Sequence, residues 1–183
     1  FTFGHRRSGN VALLEKLGAH HEFKVHSLAA VALDGKPVSS TRIRAAIGTG
    51  ELDAAGQMLG RAYTLSGPVI RGARLGRTLG FPTANVDTGD LITPPPGVYA
   101  VHVTADEVSY RAVLNIGVRP TVAENDPRLH VEAHLLDFSA DLYDQEIEVT
   151  FVERLRPERK FPNLESLKAQ ISADVTAAQR VFA

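Results

Sequence analysis

The segment GRTLGFPTAN, residues 76–85, combines residue types that suit binding of a phosphate-bearing ligand. Gly72, Gly76 and Gly80 recur at four-residue spacing beside Arg77. Glycine adopts unusual dihedral angles and lets backbone N–H groups approach an anion closely. The segment has neither the Gly-Lys-Ser/Thr of a P-loop nor the GxGxxG of a dinucleotide turn. It therefore indicates either a phosphate-binding loop or an irregular cluster of turns.

Thr83 and Asn85 carry oxygen atoms that could bind a metal ion beside the phosphate. On an extended segment alternate side chains point the same way, so the two would lie about 6.6 Å apart on one face. Magnesium prefers hard oxygen ligands and takes few from protein when phosphates and water supply the rest. Pro82 fixes its own φ and restricts Phe81 before it. We expect Thr83 and Asn85 to bind a magnesium ion together with phosphate. The alternative is that Thr83 is an ordinary strand residue and Asn85 caps a turn.

The run HVEAHLLD, residues 130–137, alternates polar and apolar residues and predicts a strand with Glu132 on its polar face. A general base must lie within hydrogen-bonding reach of its proton, so Glu132 is a candidate base or simply an exposed strand residue. His130, Glu132 and His134 share that face and suggest a transition-metal site as an alternative. On a flat strand they spread over about 13 Å, which is too wide for one ion.

Composition narrows the class of partner. The net charge is −1, yet no acidic residue occurs between Asp53 and Asp87, and four arginines do. This distribution favours a small phosphate-bearing ligand over nucleic acid. The absence of cysteine excludes disulfides and thiolate metal sites, and no apolar run reaches the roughly 20 residues of a membrane span, so we expect a cytoplasmic protein without a membrane partner. The four arginines are Arg61, Arg71, Arg74 and Arg77.

Short β-rich runs, separated by Gly, Pro and Asp, begin at residue 63 and predict an antiparallel barrel or sandwich. The final segment, residues 163–182, has apolar residues at helical spacing and begins with Asn163, a suitable N-cap. It predicts one amphipathic helix against the β-structure. The predicted strands lie near 63–70, 98–104, 108–116, 129–137 and 146–153.

The first sixty residues have a different pattern, too short to close a sheet of its own. We predict a first helix that Asn10 caps and Gly18 ends. The predicted elements are, in order, helix 10–18, strand 23–28, a helix starting at the hydroxyls of VSSTRIR (38–44), and a helix within 51–60.

The glycine-rich segment closely resembles the riboflavin kinase family through Gly67, Val69, Gly72 and the run from Gly76 to Asn85. Further family-like motifs follow in the same order, so the resemblance covers about residues 60–183. It implies a mainly β fold, a six-stranded antiparallel barrel with a C-terminal helix, and transfer of the γ-phosphoryl of ATP to the 5′-hydroxyl of riboflavin. The further motifs are GVYAV (97–101), NIGVRPT (115–121), VEAHLLDF (131–138), LYDQEIEV (142–149) and LRPERKF (155–161).

The resemblance also implies roles for individual residues. Thr83 and Asn85 would hold Mg²⁺ and the ATP phosphates, and Glu132 would be the catalytic base. Arg156 and Phe161 would cover the flavin as part of a lid, although a solvated loop is an alternative. The implied nucleotide-binding residues are Gly72, Gly76, Arg77, Gly80, Phe81, Pro82, Thr83 and Asn85. The implied small-molecule partners are riboflavin, ATP and FMN.

FGHRRSGN (3–10) and VSSTRIR (38–44) resemble the FMN adenylyltransferase module of bacterial bifunctional FAD synthetases. This resemblance implies that residues 1–58 are an α/β remnant of a Rossmann-like nucleotidyltransferase domain and that 59–183 form the kinase domain. Hydroxyls at a helix start can bind phosphate, although a capped surface helix is the alternative. The module residues carried over are Arg7, Ser39, Ser40, Thr41 and Arg42.

Three further expectations follow. The HxGH-type motif of the module is expected upstream of Phe1, so this chain should form FMN but not FAD. Apolar faces exposed in the first sixty residues would favour self-association. A barrel that binds flavin or nucleotide without turnover is the alternative to a kinase.

Overall fold

The computed structural model describes residues 2–72, 75–118 and 129–183, without the side chain of Leu75. The chain divides into two compact units, one up to Val38 and one from Ser39 onward. The predicted domain limits of 1–58 and 59–183 stay a prediction. Among the described residues, no helix combines the length and the apolar character needed to cross a bilayer.

The described residues of the first unit contain one α-helix, α1 (Val11–His21). It begins as predicted, because the side chain of Asn10 accepts a backbone N–H of the first turn. Its predicted end at Gly18 is wrong, because the left-handed residue that ends it is Glu22 (φ 57°). Gly18 lies inside the helix, where an added Cβ would be 2.5 Å from the carbonyl oxygen of Phe23.

The predicted strand over 23–28 is also wrong. Within the described part of the chain these residues pair with no strand, and Leu28 is 94% exposed. An extended segment becomes a stable strand only when a neighbouring strand satisfies its backbone groups. The unit instead contains a short hairpin whose strands, β1 (Ala32–Leu33) and β2 (Lys36–Pro37), have two residues each.

The second unit begins with the two helices expected there, α2 (Ser40–Thr49) and α3 (Leu52–Leu59). The Ser39 side chain caps α2, and Gly60 ends α3 in the left-handed conformation. The two helices pack together around Ile47. The structure does not confirm a Rossmann-like origin for these elements.

Six strands then form a closed antiparallel barrel in the order β3-β4-β7-β6-β5-β8, which confirms the implied fold. All five strands predicted from residue 63 onward are present, and a sixth, the three-residue β4, begins within the PTAN run at Ala84. The glycine-rich segment contains a five-residue helix, α4 (Leu75–Leu79), that the sequence does not predict. The strands are β3 (Thr64–Ile70), β4 (Ala84–Val86), β5 (Gly97–Ala105), β6 (Val108–Val118), β7 (Leu129–Leu135) and β8 (Glu146–Pro157).

Alternation along the strands decides which side chains enter the barrel. Tyr99, Leu114 and Val149 belong to the inward set and are fully buried. The outward set of β5 and β6 is apolar where the C-terminal helix α5 (Leu164–Val181) packs on it, and Val98 is one of its members. The predicted cap of this helix is confirmed, because the Asn163 side chain accepts the Ser166 N–H at 2.8 Å.

Candidate active site

Three polar side chains lie in one row across the outer face of neighbouring strands. Glu132 on β7 is the direct partner of Asn85 on β4 and of Asn115 on β6. The row faces outward because the chain neighbours Val131 and Ala133 are buried in the barrel core. Side chains directly opposite each other have Cβ atoms roughly 5 Å apart. The candidate base therefore lies between two amides, one of them from the PTAN run.

The segment between α4 and β4 is fixed against β7, the strand that carries Glu132. Gly80 has φ 90°, a left-handed conformation that favours glycine. The Phe81 N–H donates to the Gly76 carbonyl at 2.8 Å. His134 Nδ1 donates to the Pro82 carbonyl at 2.8 Å, and its ring meets the Phe81 ring edge to face at 5.6 Å. These contacts set the position of the PTAN run relative to β7.

Two glycines of the segment lie so close to the predicted metal ligands that a larger residue would displace them. A Cβ added at Gly72 would lie 2.4 Å from Asn85 Nδ2 and 2.6 Å from Asn85 Oδ1. A Cβ added at Gly76 would lie 2.4 Å from the Phe81 carbonyl oxygen and 3.2 Å from Thr83 Oγ1. The recurring glycines are therefore positions of close approach.

A cavity of about 500 Å³ lies beside the PTAN run at one end of the barrel. Its lining residues include two arginines, one carboxylate and two hydroxyl residues: Arg71, Arg77, Asp141, Thr83 and Ser139. The Arg71 guanidinium stands 5.1 Å from the centre of the Tyr143 ring, which also lines the cavity. Guanidinium groups bind phosphate oxygens in bidentate geometry. The size of the cavity is within the range of small-molecule sites, and its cations suit a phosphorylated ligand.

Arg156 and Phe161, predicted to cover a flavin, contact each other, and Arg156 also contacts the C-terminal helix. Arg156 donates to both carboxylate oxygens of buried Asp174, at 2.8 and 2.7 Å, and Gln170 donates to the same carboxylate at 2.7 Å. The guanidiniums of Arg156 and Arg159 lie 5.8 and 5.1 Å from the centre of the Phe161 ring. The Arg156 guanidinium thus fixes α5 to the end of β8, and the flavin-covering role stays a prediction.

The residues carried over from the adenylyltransferase module belong to separate units. Arg7 ends a short 3₁₀ turn in the first unit. Ser39 accepts the Arg42 N–H at 3.3 Å and caps α2, with Ser40 and Thr41 in its first turn. The capping is confirmed, and a phosphate-binding role stays a prediction.

The alternative transition-metal site gains no support. His130, Glu132 and His134 alternate on β7 as predicted, but His134 uses Nδ1 to bond Pro82. Across the described ranges, no group of three His, Cys, Asp or Glu side chains is arranged to hold a metal ion. The three side chains share a strand face without converging.

Sequence reasoning did not assign Asn115, Asp174 or Tyr143 to the site. Alternation within residues 112–116 would have placed Asn115 on the polar face of its strand. Its pairing with Glu132 depends on the register of β6 and β7, which spacing alone does not give. Arg74 and residues 119–121 of the NIGVRPT motif lie outside the described residues.

Comparison with known sequences identifies the family of the chain. The family model described as riboflavin kinase matches residues 59–182, and one described as FAD synthetase matches residues 1–42. A bifunctional riboflavin kinase/FMN adenylyltransferase of Pseudomonas fluorescens is 45% identical over 183 residues, all of this chain and 58% of that protein. That of Escherichia coli K12 is 42% identical, again over 58% of its length. The chain belongs to the riboflavin kinase family.

A solved structure also resembles this chain. A crystal structure from Streptococcus pneumoniae, named as a macrolide-efflux protein, has a TM-score of 0.80 and 31% identity. The match covers 98% of this chain and 57% of that one. Its name describes efflux, whereas both family models describe flavin enzymes. The likeness supports the fold, and the family match over residues 59–182 defines the class.

Proposed function

We propose that this chain transfers the γ-phosphoryl group of ATP to the 5′-hydroxyl of riboflavin. The placement of Glu132, in register with Asn85 of the PTAN run and one strand away from it, carries the proposal. The hydroxyl oxygen forms a bond to the γ-phosphorus while the bond to the β,γ-bridging oxygen breaks. ADP leaves, and the hydroxyl proton passes to the Glu132 carboxylate.

The cavity beside the PTAN run is the proposed site of the ATP phosphates. Arg71 and Arg77 supply fixed positive charge, and the Thr83 hydroxyl supplies a neutral donor and acceptor. Phosphoryl transfer depends mainly on positioning and on neutralising charge at the phosphoryl oxygens. These residues therefore account for nucleotide binding, while Glu132 acts on the acceptor.

Thr83 and Asn85 fit a magnesium ion by their chemistry. A hydroxyl and an amide oxygen are hard ligands, and an ion that keeps phosphate and water ligands needs few from the protein. Gly72 leaves the room in which the Asn85 amide stands. When bound with ATP, Mg²⁺ would neutralise negative charge on the phosphates. The two side chains would hold it beside the Glu132 strand.

The placement of Glu132 supports its proposed role as the base for the acceptor hydroxyl. It lies on the outward face, half-buried, where an acceptor can approach its carboxylate. A positioned acid or base contributes roughly 10²- to 10⁴-fold to a rate. We expect removal of the carboxylate to lower turnover by about that factor and to leave binding intact.

The test is incubation of the chain with riboflavin, ATP and Mg²⁺, followed by chromatographic separation of riboflavin, FMN and FAD. FMN should form in the wild type and fall by about 100-fold or more in Glu132→Gln. Glu148→Gln is the matched control, because Glu148 is an exposed acid on β8 of the same barrel. FAD is measured in the same run.

Two outcomes would overturn the proposal. A wild-type rate in Glu132→Gln would show that Glu132 is not the catalytic base. Riboflavin binding by fluorescence quenching without any FMN would identify a barrel that binds flavin but does not phosphorylate it.

A further inference from the structure

Two residues of the cavity beside the PTAN run, Arg71 and Tyr143, contact each other from separate segments of the chain. The Arg71 guanidinium carbon lies over the Tyr143 ring, 5.1 Å from its centre. Arg71 follows β3 and Tyr143 precedes β8, and these two strands are neighbours in the barrel. Because both residues line the cavity, their contact is part of its wall.

Tyr143 is fixed by the turn that contains it. Its N–H donates to the Asp141 side chain at 2.9 Å, and Asp144 after it has the left-handed φ of 64°. The Asp144 N–H donates to the Val69 carbonyl at 3.0 Å, and the Val69 N–H donates to the Gln145 carbonyl at 2.8 Å. The ring itself is partly buried and packs against the barrel core. The turn and the ring are thus held to the end of β3.

Arg71, by contrast, is exposed and has a long, flexible side chain. A ligand that orders such a side chain loses affinity to the entropy of ordering. The negative face of an aromatic ring attracts a guanidinium group, and this contact leaves the N–H groups at the guanidinium edge able to bind phosphate oxygens. The Tyr143 ring can therefore order Arg71 before a phosphate group binds.

We propose that Tyr143 is a positioning residue for ATP, whose ring holds the Arg71 guanidinium in place for a phosphate group of the nucleotide. The inference rests on the proposed kinase function and adds a residue that acts on the nucleotide through another side chain. A cation–π contact at an exposed site changes affinity by roughly two- to fivefold. Tyr143 thus contributes to KM for ATP, and Glu132 keeps the chemical role.

The experiment measures KM for Mg²⁺-ATP, KM for riboflavin and kcat in variants at position 143. Tyr143→Leu should raise KM for ATP by roughly two- to fivefold and leave KM for riboflavin and kcat unchanged. Tyr143→Phe keeps the ring and should restore most of the loss. A loss in Tyr143→Phe as large as that in Tyr143→Leu would overturn the inference, because it would assign the effect to the hydroxyl.

Double variants show whether Tyr143 acts through Arg71. With Arg71→Gln already present, Tyr143→Leu should cause no further rise in KM for ATP, because the guanidinium is absent. Arg77→Gln is the matched background, since Arg77 lines the same cavity from α4 while the Tyr143 ring contacts Arg71. In that background Tyr143→Leu should still raise KM by the same factor. Equal rises in both backgrounds would contradict the inference.

A second set of variants covers the case in which Tyr143→Leu does not fold. Fluorinated phenylalanines at position 143 keep the shape of the ring and weaken the negative potential of its face. KM for ATP should therefore rise with the number of fluorine atoms. A KM that is independent of fluorination would show that the ring does not hold Arg71 electrostatically.

Failure of the proposed function gives a different result. If the wild type forms no FMN, calorimetry measures the Kd of Mg²⁺-ATP in the same variants. A rise in Kd in Tyr143→Leu that disappears when Arg71→Gln is present would still support the inference. A wild type that binds no ATP, or equal Kd values in all variants, would overturn it.

Discussion

Gly72, Gly76 and Gly117 each lie against a polar side chain of the site. Gly72 lies against Asn85, Gly76 against the Phe81 carbonyl and the Thr83 side chain, and Gly117 against Glu158 and Asn115. Added Cβ atoms would come within 2.4–2.6 Å of a neighbouring atom at all three glycines. Real Cβ atoms do not approach that closely, so the neighbour would have to move. At residue scale, the absence of a side chain at these glycines lets the neighbouring groups occupy their positions.

Gly72→Ala should lower kcat/KM for ATP by about tenfold or more, because the new methyl group displaces the Asn85 amide. Steady-state kinetics with varied Mg²⁺-ATP measures the loss. Gly48→Ala is the matched control, because Gly48 lies in α2 with open space around its Cβ position. Alanine there should stabilise the helix by about 0.5–1 kcal/mol and leave the kinetics unchanged. Unchanged kinetics in Gly72→Ala would show that the Asn85 amide has no role in ATP use.

The outward placement of Glu132 follows from strand alternation and was available from the sequence. Its position between Asn85 and Asn115 was not, because strand register depends on turns and on distant partners. The same limit applies to Arg156, whose partner Asp174 lies 18 residues away on another element. Sequence spacing predicts the face of a strand on which a residue lies, whereas tertiary packing determines which distant residue it contacts.

At the scale of elements, the C-terminal helix is held to the barrel in two ways. Its apolar face packs on outward residues of β5 and β6, among them Val98 and Val113. A bidentate ion pair between Arg156 and Asp174 joins it to the end of β8. The segment with Glu158 and Phe161 connects β8 to α5, so the position of the helix sets where that segment begins and ends.

Asp174→Asn should lower the free energy of unfolding by about 3 kcal/mol, because it leaves the Arg156 guanidinium beside a buried neutral group. Urea denaturation measures the change. Asp106→Asn is the matched control, because Asp106 is exposed in the turn between β5 and β6. It should change stability by less than about 0.5 kcal/mol. An equal, small effect of both substitutions would show that the pair does not hold the helix.

The elements that the sequence predicts best are those with a strong local signal. The caps of α1 and α5 and the alternation of the long barrel strands belong to this group. The prediction of a strand over residues 23–28 was wrong because sequence alternation gives no information about a partner strand. The three-residue β4 was not predicted, since it exists only through pairing with β3 and β7.

At the scale of the whole molecule, two tyrosines connect the barrel core to the chain around it. The hydroxyls of Tyr63 and Tyr99 donate to the carbonyls of Ile92 and Pro95. Burial raises the pKa of both phenols above the ordinary value of 10.0, partly offset by Arg61 and Arg154 respectively. Both phenols are therefore harder to ionise in the folded protein than in the unfolded chain.

Stability should accordingly fall in alkaline solution. The unfolded chain loses these protons first, so the free energy of unfolding holds below pH 10 and decreases as the pH rises above it. Urea midpoints at pH 9 and pH 11 measure the decrease. Tyr63→Phe and Tyr99→Phe should reduce it, while Tyr110→Phe serves as the control. A decrease of the same size in the Tyr63→Phe, Tyr99→Phe double variant would contradict the assignment.

The strand order has a consequence for how the protein is made. β3, the first strand of the barrel, pairs with β8, the last, as in the contact of Thr64 with Thr150. On a ribosome, the barrel cannot close before β8 has emerged, and β3 has one unpaired edge until then. Such contacts between distant residues slow folding, and exposed edges promote aggregation. We therefore expect translation that pauses before residue 146 to leave an open sheet that depends on chaperones.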